Sequence, residues 1–328
     1  MRTSRSLIRG LLAFCALLVV SSAAFAADPG LAYPAASEVS DQKAGSILFY
    51  NTYTSSASAP ATENTRINIT NTNTTSGAFV HIFFVEGTSC GVADTFVCFT
   101  QNQTASFTTS DADPGTRGYI VVIAVDGTTG CPVNFNFLIG DEYVKYASGH
   151  TANLGAEAIA AIAAIPADCD ASTVSTAVSF DGTAYNRIAR VIADDSIPSR
   201  LDGNDTKLIV NRIGGNLVTG AASLGTLFAI IYDDAENTFS TSFSGTCHLE
   251  LSIGAGNLPR VVGGWNALLP AGHTAWMKLW STSDLGILGA AINFNAGASG
   301  FNGGHNLHKL TLADGGNSYT VPVFPPAC

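Results

Sequence analysis

One five-residue segment, Trp-Met-Lys-Leu-Trp, carries the side chains best suited to hold a ligand. On a β-strand, alternation places Trp276, Lys278 and Trp280 on one face and Met277 with Leu279 on the other. A lysine in the middle of a face indicates that this side reaches solvent, so two indole rings would be exposed near one another. Flat exposed rings suit sugar stacking or protein contact. The alternative is that other parts of the chain cover both rings while the lysine extends outwards.

Metal chemistry has two candidate sources in the sequence. His305 and His308 form an H-x-x-H pair after two glycines, which can bring two imidazole nitrogens to one metal ion. No third ligand is identifiable, so a metal site and a plain loop both stay open. We expect no cofactor, with calcium as the alternative, and three acidic groups are candidates for it: Asp111 with Asp113; Asp202 with Asn204 and Asp205; and Asp233 with Asp234 and Glu236. None has the spacing of an EF-hand loop, and solvated turns explain the same residues.

No catalytic constellation stands out in the sequence. An H-E-x-x-H zinc helix is absent, and the six histidines are scattered along the chain. His81 and His248 fall in predicted strands, where a hydrogen-bonded structural imidazole is expected. We therefore expect a protein that is not an enzyme, with an unfamiliar hydrolase using Asp233, Asp234 and Glu236 as an alternative.

The cysteines indicate disulfide bonds. An even number in an exported chain is typical of an oxidising compartment, and the six candidates are Cys90, Cys98, Cys131, Cys169, Cys247 and Cys328. Sequence alone does not choose among the possible pairings. We expect a local bridge from Cys90 to Cys98, a second from Cys247 to Cys328, and a third from Cys131 to Cys169. The absence of any C-x-x-C argues against a zinc knuckle.

The first 26 residues have the pattern of a secretory signal peptide. Arg2, Arg5 and Arg9 precede an apolar run over Leu11–Val20, and Ala24-Phe25-Ala26 provides small residues for cleavage. The apolar run is too short to cross a bilayer. We expect an exported protein, periplasmic, extracellular or bound to the cell surface, whose mature chain has no membrane span and begins with an extension over 27–44.

Strand-length segments rich in Val, Ile, Phe, Tyr and Thr recur along the chain, separated by Gly, Asn and Asp. In the first half they are Ser46–Tyr53, Arg66–Thr70, Phe79–Val85, Thr104–Thr108, Tyr119–Val125 and Val133–Ile139. Short strands at this spacing predict a sandwich or a barrel made of antiparallel sheets. The sequence therefore predicts an all-β fold.

The second half resembles the first. The matching segments are Thr65–Ile67 with Thr206–Leu208, Gly87–Cys90 with Gly245–Cys247, Asn134–Asn136 with Asn293–Asn295, and Pro114–Val125 with Pro270–Thr282. Collinear matches predict a duplication, with β-sandwich domains over 45–147 and 176–328. The connector over 148–175 includes an Ala-rich run, Asn153–Ile165, which predicts a short helix that ends before Pro166.

The order of short strands and the Asn/Thr-rich turns, such as Thr70-Asn71-Thr72-Asn73, are similar to immunoglobulin-like modules of bacterial exported and surface proteins. The resemblance covers about 45–147, and more loosely 185–325. It implies two tandem immunoglobulin-like antiparallel β-sandwiches and carries over no binding residue.

Charge narrows the possible partners. The chain of 328 residues has 15 Lys and Arg against 25 Asp and Glu, a net charge of −10, which argues against nucleic acid. We expect an exported, non-catalytic structural, adhesive or assembly protein with a protein or glycan partner at the cell surface, including self-association. A carbohydrate-binding module that uses Trp276, Lys278 and Trp280 is the alternative.

Overall fold

Twenty-two short β-strands make up most of the regular structure in the part of the chain that the structure describes. The computed structural model describes residues 39–163, 169–257, 259–283 and 285–327. The predicted leader, residues 1–26, and Cys328 lie outside these ranges. Val, Ile, Phe, Tyr and Thr favour extended backbone because their branched or aromatic side chains pack well on a pleated surface.

The strands up to residue 159 are β1 (Ile47–Thr54), β2 (Asn64–Asn71), β3 (Ala78–Glu86), β4 (Val92–Phe99), β5 (Thr104–Thr108), β6 (Arg117–Val125), β7 (Leu138–Lys145), β8 (Thr151–Gly155) and β9 (Glu157–Ile159). The later strands are β10 (Ser175–Ser179), β11 (Ala189–Pro198), β12 (Asn204–Arg212), β13 (Gly215–Asn216), β14 (Gly220–Ala221), β15 (Gly225–Asp233), β16 (Thr238–Gly245), β17 (His248–Ser252), β18 (Thr274–Ser281), β19 (Ile287–Asn295), β20 (Gly303–Asn306), β21 (His308–Leu312) and β22 (Ser318–Pro322). Single helical turns occupy Thr109–Ala112, Arg200–Asp202, Ala255–Asn257, Trp265–Leu268 and Ser299–Phe301.

The strands form five sheets, which we number I to V. Sheet I has the order β4-β3-β6-β1-β9 and sheet II the order β5-β2-β7-β8. Sheet III has the order β16-β15-β18-β11-β21, and sheet IV the order β17-β12-β19-β20. Sheet V has the order β10-β22-β13-β14 and contains the parallel pair β13–β22. All other named pairs in the described residues are antiparallel.

The expected pair of tandem immunoglobulin-like sandwiches is wrong. The chain is all-β, and its five small sheets are arranged as a five-bladed β-propeller. Hydrophobic periodicity predicts strands but not how distant strands pair, so it gave no sign of sheet V. Contacts group the described residues into one compact unit. One apolar cluster joins sheet I to sheet V, and another joins sheet II to sheet IV.

The predicted helix over Asn153–Ile165 is also wrong. The part of this run that the structure describes, 153–163, contains most of β8, which pairs with β7, and all of β9, which pairs with β1; the predicted helix end before Pro166 lies outside the described residues. Ala156 and Ala158 are buried, where a small side chain lets neighbouring backbones approach closely. Sheet pairing therefore overrides the helix propensity of alanine. No helix within the described residues is long and apolar enough to span a membrane.

The strand order of sheets I and II is repeated in sheets III and IV. Each strand of the first pair of sheets has a counterpart at the same place in the second, so that β6 corresponds to β18 and β1 to β11. Even the bulge is shared: the register of β1 shifts between Tyr50 and Tyr53, and that of β11 shifts between Asp194 and Ile197.

Only part of the sequence similarity follows this correspondence. Thr65–Ile67 and Thr206–Leu208 lie in the equivalent strands β2 and β12. Gly87–Cys90 lies between β3 and β4, whereas Gly245–Cys247 runs from the last residue of β16 to the start of β17. The two cysteine segments therefore do not occupy equivalent positions in the repeated strand order, and their similarity in sequence is coincidental.

Two disulfides are defined in the described residues, and one pairing was predicted correctly. Cys131 bonds to Cys169, as expected, whereas Cys90 bonds to Cys247. The predicted Cys90–Cys98 bridge is wrong because β4 separates these cysteines as an extended strand, at about 3.3 Å per residue. The predicted bond from Cys247 to Cys328 is excluded by the bond to Cys90, and Cys98 is disulfide-bonded as well.

The two five-stranded sheets differ in their outer faces, meaning the faces turned away from sheets II and IV. On sheet I, the apolar outward residues of β1 and β6 are buried against sheet V, with Phe49 and Tyr119 stacked at 5.0 Å between ring centroids. On sheet III, β18 alternates strictly between buried and more exposed positions. Its outer face is therefore the surface on which a candidate site can be sought.

Candidate functional site

The outer face of sheet III contains the three residues singled out in β18. Met277 and Leu279 are fully buried in the core between sheets III and IV, as alternation predicted. Trp276, Lys278 and Trp280 point the other way; Trp276 is 39% exposed and the other two are half-buried. The structure thus brings these three side chains to one surface.

Neighbouring strand β15 adds three apolar side chains to this surface. Tyr232 lies opposite Trp276, Ile230 opposite Lys278, and Phe228 opposite Trp280. The Tyr232 and Trp276 rings are stacked, with centroids 4.2 Å apart and an interplanar angle of 10°. Phe228 and Trp280 are tilted by 59° at 5.0 Å. We call these six residues the aromatic face.

Sequence reasoning missed the contribution of β15, although a signal was present. Leu227-Phe-Ala-Ile-Ile-Tyr has apolar residues on both faces of the strand, which is typical of a strand buried on both sides. Here Leu227, Ala229 and Ile231 are buried, and the outward residues are only half-buried. An apolar outer face without complete burial is a candidate contact surface.

Polar groups border the aromatic face. Thr238, Ser240 and Ser242 of β16 are exposed and lie opposite Tyr232, Ile230 and Phe228. The Lys278 ammonium makes no hydrogen bond or ion pair with the described residues. A free cation among rings and a row of hydroxyls can together contact a large apolar or hydroxylated ligand.

The acidic residues proposed for a hydrolase form a turn after β15. The Asp233 carboxylate accepts hydrogen bonds from the backbone of Ala235 at 3.0 Å and of Asn237 at 2.8 Å. Asp234 Oδ1 lies 2.7 Å from His273 Nδ1, and this pair raises the pKa of His273. Glu236 adopts a positive φ of 65° in the same turn. These contacts give the carboxylates structural partners.

The other two acidic groups also have internal partners. Asp113 accepts hydrogen bonds from the Tyr53 hydroxyl and the Thr116 hydroxyl, both at 2.6 Å. Asp205 pairs with Arg200, and Asp202 accepts from the backbone of Gly272 at 2.7 Å. The remaining two side chains of these groups also form internal hydrogen bonds: Asp111 accepts one from the Thr108 hydroxyl, and Asn204 donates one to the Ser199 carbonyl.

His305 and His308 lie where the chain passes from sheet IV to sheet III. His305 is in β20 and His308 in β21, and only Leu307 and Asn306 separate them. The bulge of β11 brings Asp194 and Asp195 beside them, more than a hundred residues earlier in sequence. Aspartates near the histidines were not foreseen, because their proximity depends on strand pairing alone.

Two short segments match the letters of catalytic motifs that sequence reasoning passed over. Gly87–Gly91 has the pattern G-x-S-x-G, but it joins two strands and does not enter the helix that a nucleophile elbow needs. Ser89 Oγ instead accepts a hydrogen bond from the backbone of Gly91. Ser40 and Lys43 have the spacing S-x-x-K, and Lys43 Nζ donates to Asn186 at 2.7 Å.

The strand histidines have the structural contacts expected of them. His81 Nε2 lies 2.7 Å from Asp94, and burial lowers the pKa of this imidazole. His248 Nδ1 lies 2.6 Å from the Asn211 side chain. Neither lies on the aromatic face.

A buried ion pair lies where sheet IV meets sheet II. Lys207 Nζ is 2.5 Å from Glu250 Oε1, and it lies 4.7 Å from the centroid of the Tyr146 ring. Burial opposes ionisation of Glu250, but His248 and Lys207 outweigh it and lower the pKa of Glu250 to about 2. On sheet II, burial raises the pKa of Glu142 well above its ordinary value.

Comparison with known proteins adds no functional assignment. The chain matches no protein-family model and no curated protein.

Proposed function

We propose that this chain is an exported, non-catalytic adhesive or assembly protein that holds a partner protein of the cell surface on the aromatic face. The carrying observation is that six apolar or cationic side chains of β15 and β18 remain on an incompletely buried sheet surface. The disulfide bonds fit an oxidising compartment and support export.

The burial of the equivalent surface supports this role. In the first copy, Tyr119, Val121 and Ile123 are buried beneath sheet V. We align β6 with β18 on the residues that pair with the last residues of β3 and β15. Tyr119 then corresponds to Trp276, and Val121 corresponds to Lys278. A face that buries an apolar layer in one copy therefore offers rings and a cation in the other. Aromatic residues bury large areas at low entropic cost, which is why they dominate binding hot spots.

The test is binding of the fluorescently labelled protein to intact cells of the organism that produces it. We expect the double variant Trp276→Ala, Trp280→Ala to reduce binding at least tenfold. Tyr143→Ala is the matched control, because Tyr143 is 39% exposed on sheet II, away from the aromatic face. Protease treatment of the cells should abolish binding. Unchanged binding by the double variant, or measurable catalytic turnover, would contradict the proposal.

A glycan partner is the second candidate, and the hydroxyl row of Thr238, Ser240 and Ser242 favours it. Hydroxyls beside stacked rings can donate to and accept from sugar hydroxyls while a pyranose ring packs on the indole. In that case periodate oxidation of the cells, and not protease, should abolish binding. A glycan array should then show signals that Trp276→Ala removes.

A further inference from the structure

The bulge of β11 places two aspartates against the histidines of β20 and β21. The Asp194 side chain is fully buried, whereas those of Asp195 and His308 are largely exposed. His305 is intermediate, with a side chain 37% exposed. The four residues are thus held on three strands of two sheets, which fixes their positions better than a loop would.

The distances fit the first coordination sphere of a small metal ion. His305 Nε2 lies 3.5 Å from Asp194 Oδ1 and 3.4 Å from Asp195 Oδ1. Ligand atoms about 2.1 Å from a tetrahedral ion lie about 3.4 Å from one another. One donor atom from each of these three residues lies within 4.8 Å of the others.

Two atoms of this cluster lack a hydrogen bond: His305 Nε2, and the Asp194 oxygen that does not face it. Asp194 Oδ2 and His305 Nε2 are inaccessible atoms without a hydrogen-bond partner among the described residues. Leaving a buried carboxylate oxygen unsatisfied is costly. The equivalent bulge of β1 has no such defect, since the Tyr50 hydroxyl donates to Asn68 and Asn51 donates to Asn306. In the second copy, two possible metal-ligand atoms therefore lack hydrogen bonds, whereas the side chains at the equivalent bulge of the first copy are hydrogen-bonded.

His308 contacts the Asp195 carboxylate. Its Nε2 lies 3.0 Å from Asp195 Oδ2, the oxygen that does not face His305. A hydrogen bond of this kind orients a ligating carboxylate and affects metal affinity. A cavity of about 210 Å³ opens onto His305 and is lined by Ser196, Thr274 and Asn293 among others. It provides room for a water as fourth ligand.

We propose that Asp194, Asp195 and His305 bind one Zn²⁺ ion, with His308 orienting Asp195. Imidazole nitrogen and carboxylate oxygen are both zinc ligands, and three protein ligands with a water complete a four-coordinate site. Calcium prefers six to eight oxygen ligands, and a nitrogen donor at the centre disfavours it. The bound ion would join sheets III and IV at the bulge, independently of the aromatic face.

The test is calorimetric titration of the chelator-treated full chain with ZnCl₂. We expect one saturable site per chain, a loss of affinity of at least ~100-fold in His305→Ala, and a loss of about 10- to 100-fold in His308→Ala. His273→Ala is the matched control, because His273 is an exposed histidine that pairs with Asp234. It should bind Zn²⁺ as the wild type does. X-ray absorption should show N and O ligands at about 2.0–2.2 Å.

A variant that fails to fold would also lose zinc binding, so the variants compared must retain the fold. Asp194→Asn preserves the shape of the buried side chain, and circular dichroism should confirm folding before each titration. If no saturable heat is seen, or if His305→Ala and Asp194→Asn leave the affinity unchanged, the four residues form a network of ion pairs and not a metal site. Either result overturns the proposal. Binding of CaCl₂ more tightly than ZnCl₂ would also overturn it.

Discussion

Sheets I and III share one strand order but use their outer faces in opposite ways. On sheet I this face is a buried joint with sheet V, and on sheet III it carries Trp276, Lys278 and Trp280 near solvent. The strand order is the same, so the difference lies in the outward side chains and in the cover that sheet V provides on sheet I. It teaches that a strand pattern repeated in one chain can provide cohesion in one copy and a contact surface in the other.

The largest effect should come from the buried joint. Tyr119→Ala removes a fully buried ring that packs on Phe49, and we expect it to lower the free energy of unfolding by about 3–5 kcal/mol. Trp276→Ala, on the open face, should cost less than about 2 kcal/mol because its ring is partly solvated already. Urea denaturation measures both. Equal losses would mean that the two faces are not different in burial.

Removal of the Cys90–Cys247 disulfide should have the next largest effect. The bond links residues 157 positions apart, and so connects the copy with the buried face to the copy with the open one. We expect Cys90→Ser, Cys247→Ser to cost about 3 kcal/mol in thermal or urea unfolding. Cys131→Ser, Cys169→Ser removes a bond that closes a loop of only 38 residues, so its cost should be about 1 kcal/mol smaller. The reverse order would show that chain entropy does not govern these bonds.

As the pH falls, the region where sheet IV meets sheet II should lose stability before the aromatic face does, because Glu250 lies there. The pKa of Glu250 is about 2 in the folded protein and about 4.3 when unfolded. The unfolded state therefore binds the proton first, and the stabilisation present above pH 4.3 is lost as the pH falls toward 2. We expect a loss of up to roughly 3 kcal/mol. Unfolding of Glu250→Gln over the same pH range should lack this component, and identical pH profiles would refute it.

The smallest effect should come from the cation on the aromatic face. Lys278 makes no hydrogen bond or ion pair with the described residues, so Lys278→Ala should change the free energy of unfolding by less than about 0.5 kcal/mol. Differential scanning calorimetry can resolve a larger change. A loss well above this value would indicate that the aromatic face is covered in the folded protein.

Local features were predictable from sequence wherever one strand sufficed. β5 has the predicted bounds Thr104–Thr108, and the alternation of β18 is confirmed. β4 was missed because most of its residues are not fully buried, so its polar letters resembled a loop. That error also produced the false Cys90–Cys98 bridge.

Features that depend on distant pairing were not predictable. Sheet V needs β22 beside both β10 and β13, and no local pattern specifies this. The ligands that His305 lacked in sequence are supplied by Asp194 and Asp195, through the pairing of β11 with its neighbours. The Ala-rich run misled for the same reason, since its partners lie in β1 and β7.

Sheet V also fixes an order of events during synthesis. Its strand β22, Ser318–Pro322, pairs with β10 and β13, and the buried Tyr319 lies within it. Until this strand emerges from the ribosome, the apolar outer face of sheet I lacks part of its cover, although β1 to β9 are already available to pair. A nascent chain stopped before residue 318 would expose Phe49, Val121 and Tyr119, a surface to which chaperones or other copies of the chain can adhere.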